Sequence, residues 1–243
     1  MRHIAIVLAA GRGKRMNSKV AKQYLHLQGR PILYYALKQF EDSFIDDIIL
    51  VTAAEDIDYC AEEIVDKYGF RKVRRIVAGG KERYHSVHHG LLTVGALLEG
   101  EAYDACIYIH DGARPFVSAD ILKRAKESVE QYGTGVVGMP VKDTIKIVDD
   151  NGFAASTPNR SRVWQVQTPQ CFRYSEIAPA YLKLVETEEA LHARGIVITD
   201  DAMVMELLGS RPVRLVEGSY QNIKITTPED LVTAESFLLQ EER

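Results

Sequence analysis

The sequence predicts an α/β fold: a mostly parallel sheet flanked by helices, with a β-hairpin arm protruding from it. Three observations carry that expectation. Short β-branched apolar runs alternate with amphipathic helical patterns through the first half of the chain, the rhythm of a sheet covered by helices. The first of those runs passes directly into a glycine-rich turn, and an Asn-Gly pair in the second half interrupts the alternation.

Taken in order, His3–Leu8, Ile48–Thr52, Val73–Val77, Ala105–Ile109 and Gly135–Val141 read as buried strands. Pro31 opens a helix whose Ile32, Leu33, Ala36, Leu37 and Phe40 share one face, and a second helix begins near Asp56 and ends at Gly69. A third begins near Glu82. A fourth runs from a Ser118 cap through Ile121, Leu122, Ala125 and Val129 to Gly133. Thr144–Val148 and Phe153–Ser156 flank Asp150-Asn151-Gly152 and form the hairpin. A segment Trp164–Phe172 follows, then helices near Tyr174–Ala193 and Asp200–Leu208, a strand at Val213–Val216 and a closing helix. Thr227-Pro228-Glu229-Asp230 starts that last helix with a cap, a first-turn proline and two acids suited to the positive end of its dipole.

The chain of 243 residues, 46% apolar and 26% charged, reads as one domain with an arm around residues 142–165. No run approaches the ~20 apolar residues of a membrane span. The first strand lacks the longer apolar region and cleavage site of a secretory signal, so a cytoplasmic protein is expected. Cys60, Cys106 and Cys171 are odd in number and widely spaced, which favours buried apolar roles over disulfides or zinc. A net charge of −4 argues against nucleic acid as a partner.

Positive charge is instead local. Leu8-Ala9-Ala10-Gly11-Arg12-Gly13-Lys14-Arg15-Met16, with Lys19 and Lys22 just after it, places five basic side chains on or beside the glycine-rich turn. Small residues let the backbone approach a polyphosphate, and Arg and Lys neutralise it. A dinucleotide fingerprint needs glycine where Met16 stands, and a P-loop needs Gly-Lys-Ser/Thr where Gly13-Lys14-Arg15 stands. The remaining reading is a loop that grips a triphosphate and stabilises charge developing on its α-phosphate.

Leu-Ala-Ala-Gly-x-Gly-x-Arg-Met with Lys22-Gln23 resembles the signature of sugar-phosphate nucleotidyltransferases. Six further tags narrow it: Gly79-Gly80-x-x-Arg83-x-x-Ser86-Val87, His110-Asp111-Gly112-Ala113-Arg114-Pro115, Pro140 to Lys146, Gln167-Thr168-Pro169-Gln170, Thr199-Asp200-Asp201-Ala202 and Asn222 to Thr226. In this order they resemble the 2-C-methyl-D-erythritol 4-phosphate cytidylyltransferases over essentially the whole chain. The resemblance implies a Rossmann-like fold of the nucleotide-diphospho-sugar transferase type and transfer of CMP from CTP to methylerythritol 4-phosphate. Pyrophosphate is the second product, and the step belongs to the non-mevalonate route to isoprenoid precursors. It also implies magnesium or another divalent cation, and a homodimer whose arm reaches the second subunit.

By the same resemblance, Arg15 and Lys22 stabilise the α-phosphate in the transition state, while Arg160, Thr168 and Lys224 bind or steer the acceptor phosphate. Ala9, Ala10, Gly11, Gly13, Gly80, Arg83 and Ser86 would surround the nucleotide. Gly80 and Ser86 also read simply as a turn and a helix start. Asp111, Arg114 and Thr144 would face the methylerythritol, and Asp111 would orient the metal. No general base is needed, because a phosphate dianion attacks without losing a proton. His110 either orients Asp111 or is structurally satisfied; His85, His88 and His89 read as helix surface, and Asp200-Asp201 as a helix cap without direct chemistry. The chain departs from the family at Ala21, where proline is usual, at Lys81, where some relatives carry an acid, and at Gly112, a common alternative to alanine.

Ribitol 5-phosphate is the rival acceptor, and the Val141-Lys142-Asp143-Thr144-Ile145-Lys146 run favours methylerythritol. A nucleotide-sugar glycosyltransferase would carry Asp-x-Asp where His110-Asp111-Gly112 stands, and a nucleotide sensor has little use for both Arg15 and Lys22.

Overall fold

A computed structural model describes residues 1–11, 20–99 and 104–241. In chain order the strands are β1 (Arg2–Ala9), β2 (His26–Leu27), β3 (Arg30–Pro31), β4 (Asp47–Thr52), β5 (Val73–Ala78), β6 (Ala105–Asp111), β7 (Thr134–Pro140), β8 (Ile147–Val148), β9 (Ala154–Ser156), β10 (Trp164–Arg173) and β11 (Leu215–Glu217). The helices are α1 (Ile32–Glu41), α2 (Ile57–Tyr59, continuing as a π-helix over Cys60–Asp66), α3 (Arg83–Leu97), α4 (Ala119–Tyr132), α5 (Tyr174–Ala193), α6 (Asp201–Leu208) and α7 (Pro228–Glu241).

Seven of these strands form one sheet in the order β11-β7-β10-β6-β1-β4-β5. Every pairing in it is parallel except those of β10, which runs antiparallel to both neighbours. Because side chains alternate across a strand, β1 sends Ala5, Val7 and Ala9 to one face, where α1, α2 and α4 pack, and Ile4 and Ile6 to the other, against α3, α5 and α6. A third cluster joins α7, through Ala234 and Leu238, to Leu27, Ile32 and Phe116. Cys60, Cys106 and Cys171 are buried and free of disulfides. Among the described residues no helix is long and apolar enough to cross a membrane.

The local signals that started and stopped α4 act as expected. The Ser118 hydroxyl accepts from the Ile121 amide, and Gly133 adopts φ +80°, the left-handed conformation that a Cβ would strain. Three expectations differ from the structure. The Asn-Gly pair does not form a two-residue turn: Gly152 alone takes positive φ there, and the Asp149 carboxylate accepts from the amides of Asn151 and Phe153, widening the loop. The helix near Asp56 opens with a 3-10 turn at Ala54–Asp56 and widens over Cys60–Asp66, turning Cys60 and Ile64 inward. The last strand begins at Leu215 rather than Val213, because Val213 packs against the core below the sheet instead of pairing.

Candidate functional site

The C-terminal ends of β1 and β6 meet where ligands of open α/β sheets gather. Gly112 donates its amide to Leu8 O at 2.8 Å, and a Cβ at Gly112 would sit 3.0 Å from that same oxygen, so the two strand ends close on each other through a residue with little room to grow. Above them opens a cleft of about 640 Å³. Ala9, Ala10 and Gly11 form its floor, Lys22 and Gln23 one wall, Gly80, Arg83 and Ser86 a second, and Asp111, Ala113 and Lys224 the far end. A smaller neighbouring cleft of about 360 Å³ shares Arg83, Asp111 and Lys224 and adds Arg114, Gln167, Thr168, Thr199 and Asp200.

The second wall is built by close approach. Gly79 donates to Thr52 O at 2.7 Å, and a Cβ at Gly79 would come within 2.6 Å of Ala10 Cβ and 2.7 Å of Ser86 Oγ. Gly80 donates its amide to Ser86 Oγ at 3.1 Å, so the turn and helix-start roles of Gly80 and Ser86 are met while both face the cleft. Gln23, 2% exposed, ties its side-chain amide to Ala9 O and so fixes the backbone at the end of β1. Lys22 follows Ala21, whose φ of −60° and ψ of 138° are values that proline adopts; the turn keeps proline geometry without proline. The Lys22 ammonium donates to Ile225 O at 3.0 Å, linking the loop after β1 to the segment before α7.

Asp111 is the electrostatic centre. Its carboxylate lies 2.8 Å from Lys224 Nζ, 3.5 Å from Arg83 Nε and 3.7 Å from Arg114 Nε. Burial opposes its charge, but Arg83, Lys224 and Arg114 outweigh burial and hold the carboxyl well below the usual range. Arg83 is shared: its guanidinium fork grips Asp201 with two contacts of 2.8 Å. Asp201 is fully buried and also accepts from the Tyr181 hydroxyl. Burial disfavours the Arg83 cation, yet Asp201 and Asp111 drive its pKa well above normal. Arg114 donates to Asn222 O at 2.7 Å, and its buried Nε makes no hydrogen bond among the described residues.

Asp200 behaves as the expected cap, accepting from the Met203 amide at 2.9 Å. Asp201, which the doublet reading left without a role, instead anchors Arg83 from a position 118 residues away in sequence. Gln23 and Asn222 belong to the sequence motifs but carry no role there; their side-chain contacts reach Ala9, Gln167 and Thr168, and a lone amide side chain carries no local pattern that would show them. The three helix histidines are not helix surface. His85 accepts from the Glu82 amide and pairs with Glu188 of α5 at 2.9 Å, His89 donates to Ala78 O at the end of β5 at 2.9 Å, and all three are partly buried.

Thr168 turns its hydroxyl inward, 3% exposed, to the Asp111 amide at 3.1 Å and to His110 Nδ1 at 3.0 Å, rather than offering it to the cleft. Thr144 and Arg160 lie on the arm, exposed, and line neither cleft of this chain; Arg160 donates to Lys142 O at 3.0 Å. Gly13 and Arg15 lie outside the described residues. The arm itself is a two-stranded β8-β9 sheet separate from the main one, with exposed Ile147, Val148 and Phe153.

Among the described residues no group of three or more His, Cys, Asp or Glu side chains could hold a metal ion. Among the described residues Lys22, Lys81, Arg83, Arg114 and Lys224 line the two clefts with the carboxylates Glu82, Asp111 and Asp200, while Asp201 lies buried behind Arg83; the cations outnumber the carboxylates, an arrangement suited to an anion of high charge.

Known proteins agree with that arrangement. The family model for IspD, 2-C-methyl-D-erythritol 4-phosphate cytidylyltransferase, matches residues 3–240. A protein of that name from Lachnoclostridium phytofermentans is 47% identical over 234 residues, covering 96% of this chain and 95% of its own. Another from Geotalea uraniireducens is 47% identical over 239 residues, covering 98% and 97%. The crystal structure of 4-diphosphocytidyl-2C-methyl-D-erythritol synthase from Anaerococcus prevotii superposes with a TM-score of 0.81 at 32% identity, covering 98% of this chain and 96% of that one.

Proposed function

The chain belongs to the 2-C-methyl-D-erythritol 4-phosphate cytidylyltransferase family, and on that footing we propose how its cleft performs the reaction. CMP passes from CTP to methylerythritol 4-phosphate. An oxygen of the acceptor phosphate bonds to the α-phosphorus as the bond to the β-phosphate breaks, and pyrophosphate leaves with the electron pair. The nucleophile is already a dianion, so the protein's task is to bring two anions together in line and to hold the charge that spreads over the equatorial oxygens. The observation that carries this reading is the excess of cations over carboxylates around Asp111.

In this assignment Ala9, Ala10, Gly11, Gly80 and Ser86 hold the cytidine, with Gly13 and Arg83 completing the nucleotide side. Lys22, with Arg15, faces the α-phosphate, and its bond to Ile225 O keeps the ammonium at the mouth of the cleft. Lys224 and Arg114, both beside Asp111, take the acceptor phosphate. Asp111 is ionised throughout the working range and accepts hydroxyls of the acceptor. One carboxylate plus phosphate oxygens suits a hard cation, so magnesium held by the triphosphate with Asp111 nearby would neutralise the leaving pyrophosphate. Thr144 and Arg160 reach an acceptor only in a homodimer, where the apolar tip of the arm is covered by the second subunit. The setting is cytoplasmic.

The test is pyrophosphate release by the purified protein with magnesium and CTP, offering methylerythritol 4-phosphate, ribitol 5-phosphate or no acceptor. Release with methylerythritol phosphate alone, lost on chelation of magnesium, is expected. Release with ribitol phosphate alone would move the enzyme to another pathway, and release without acceptor would refute acceptor positioning.

A further inference from the structure

We infer that His110 is a positioning residue: through the Thr168 hydroxyl on one side and the Arg114 carbonyl on the other, it sets the directions in which Asp111 and Arg114 face the acceptor. The inference rests on the assignment of those two side chains to the acceptor given above.

His110 is fully buried, near the end of β6, and lines neither of the two clefts described above. Its Nε2 lies 3.0 Å from Arg114 O, and a carbonyl can only accept, so the proton sits on Nε2. Burial keeps the ring neutral, so Nδ1 accepts, and its partner at 3.0 Å is the Thr168 hydroxyl. That hydroxyl, having spent its proton on His110, presents a lone pair to the Asp111 amide at 3.1 Å. One ring thereby dictates three bonds with one consistent sense of donation. The bonds tie the tip of β6 to the β10 residue Thr168, 58 residues away in sequence, and to the turn that carries Arg114. Asn222 closes the same loop from the other side, donating to Thr168 O at 2.9 Å and accepting from Arg114 Nη1.

An aromatic ring of any kind would fill the space against Phe40, whose ring stands 5.0 Å away, edge-on. Only a ring with a donor on one edge and an acceptor on the other supplies both bonds. Asp111 and Arg114 are separated by Gly112 and Ala113, so their backbone orientation depends on such bracing.

The two halves of the brace can be removed separately. In His110→Gln the side-chain amide reaches the Arg114 carbonyl but leaves Thr168 without its acceptor; His110→Asn keeps a partner for Thr168 and loses the Arg114 bond. KM for methylerythritol 4-phosphate and KM for CTP are measured independently, with melting temperature, for these variants, for Thr168→Val and Thr168→Ser, for Asp111→Asn, and for Phe40→Leu as a packing control. We expect the acceptor KM to rise about tenfold in His110→Gln and Thr168→Val and about threefold in His110→Asn. Thr168→Ser should stay near wild type, and the CTP KM should stay within about twofold in the His110 and Thr168 variants. Phe40→Leu should lower the melting temperature and leave the acceptor KM unchanged. If the two KM values move together, or if His110 variants only track melting temperature as Phe40→Leu does, the inference is wrong. If Asp111→Asn itself leaves the acceptor KM unchanged, the assignment of the cleft fails first and takes the inference with it. Should the His110 variants not fold, the Thr168→Val and Thr168→Ser pair decides.

Discussion

Two aspartates, at opposite ends of the same sheet, are each surrounded by cations, and the contrast between them separates structure from chemistry. Asp47 opens β4 at its N-terminal edge, with a side chain 2% exposed whose two oxygens are matched one to one: Oδ2 to Arg2 at 2.8 Å and Oδ1 to Arg74 at 2.7 Å. Asp111 ends β6 at the opposite edge and faces three cations, at 2.8, 3.5 and 3.7 Å. The first gives each of its oxygens one arginine and clamps neighbouring strands. The second meets three cations, one of them shared with Asp201, and these cations line a cleft. A buried carboxylate beside arginine therefore says little by itself; the edge of the sheet and the cleft beside it say more.

The contrast is broken or sharpened by four measurements. The largest effect belongs to the cation-rich end: Lys22→Ala should lower kcat by about 10²–10³, the scale of losing one preorganised transition-state donor, while the melting temperature stays within a few degrees. A variant that instead raised the KM for CTP at constant kcat would make Lys22 a ground-state contact.

Next is Asp111→Asn, expected to cost about 10- to 100-fold in kcat/KM for the acceptor. Its stability effect carries a pH signature. A carboxyl whose folded pKa lies below its unfolded value contributes stability that is fully present above about pH 4 and is lost as pH falls through the lower folded value. Urea midpoints of wild type and Asp111→Asn should therefore differ by a constant amount from pH 8 to pH 5 and converge only in stronger acid. Convergence already at pH 5 would mean the three cations do not hold the carboxylate as described.

Asp47→Asn should reverse the pattern, losing about 1–3 kcal/mol of stability because two arginines are left without their buried acceptor, with kcat and both KM values within twofold of wild type. Chemical denaturation and steady-state rates on the same preparation check both halves. Smallest is Arg74→Ala, where the removed side chain is 54% exposed and a loss under about 1 kcal/mol is expected; a larger loss would make the clamp more than a surface pair.

What could be read from the chain and what could not divides along the same physical line. The five long strands, the Ser118 cap, the Gly133 stop and the Pro228 start depend on neighbours within a few residues, and all are present. Asp111 at a strand end and the small residues Ala9 to Gly11 were legible for the same reason, since a strand feeding a tight turn is a local pattern. The partner of Arg83 was not legible. The Asp200-Asp201 doublet satisfied the cap reading with its first member and so hid the second, whose carboxylate is turned inward to a side chain 118 residues away. Thr168 was expected to face the acceptor, and its hydroxyl instead serves the interior; sequence shows that a hydroxyl is present but not which way it turns. The antiparallel course of β10 escaped as well, because Trp164–Phe172 has the apolar content of a strand without any mark of its direction.

That one reversed strand governs the order in which the molecule can be made. Four parallel strands, β5-β4-β1-β6, can pair with one another once residue 111 has left the ribosome, with the outer edge of β6 still open. β7, synthesised next, has no neighbour to pair with, since its place is one strand further out, and the intervening slot stays empty until Trp164–Arg173 arrives. During that interval an apolar strand and the arm wait with open edges. The side of the cleft proposed for the acceptor, which needs Thr168 beside Asp111, is thus completed by the chain's late insertion into its own sheet: a half-synthesised molecule owns the floor at Ala9 to Gly11 but not yet the wall that holds Thr168.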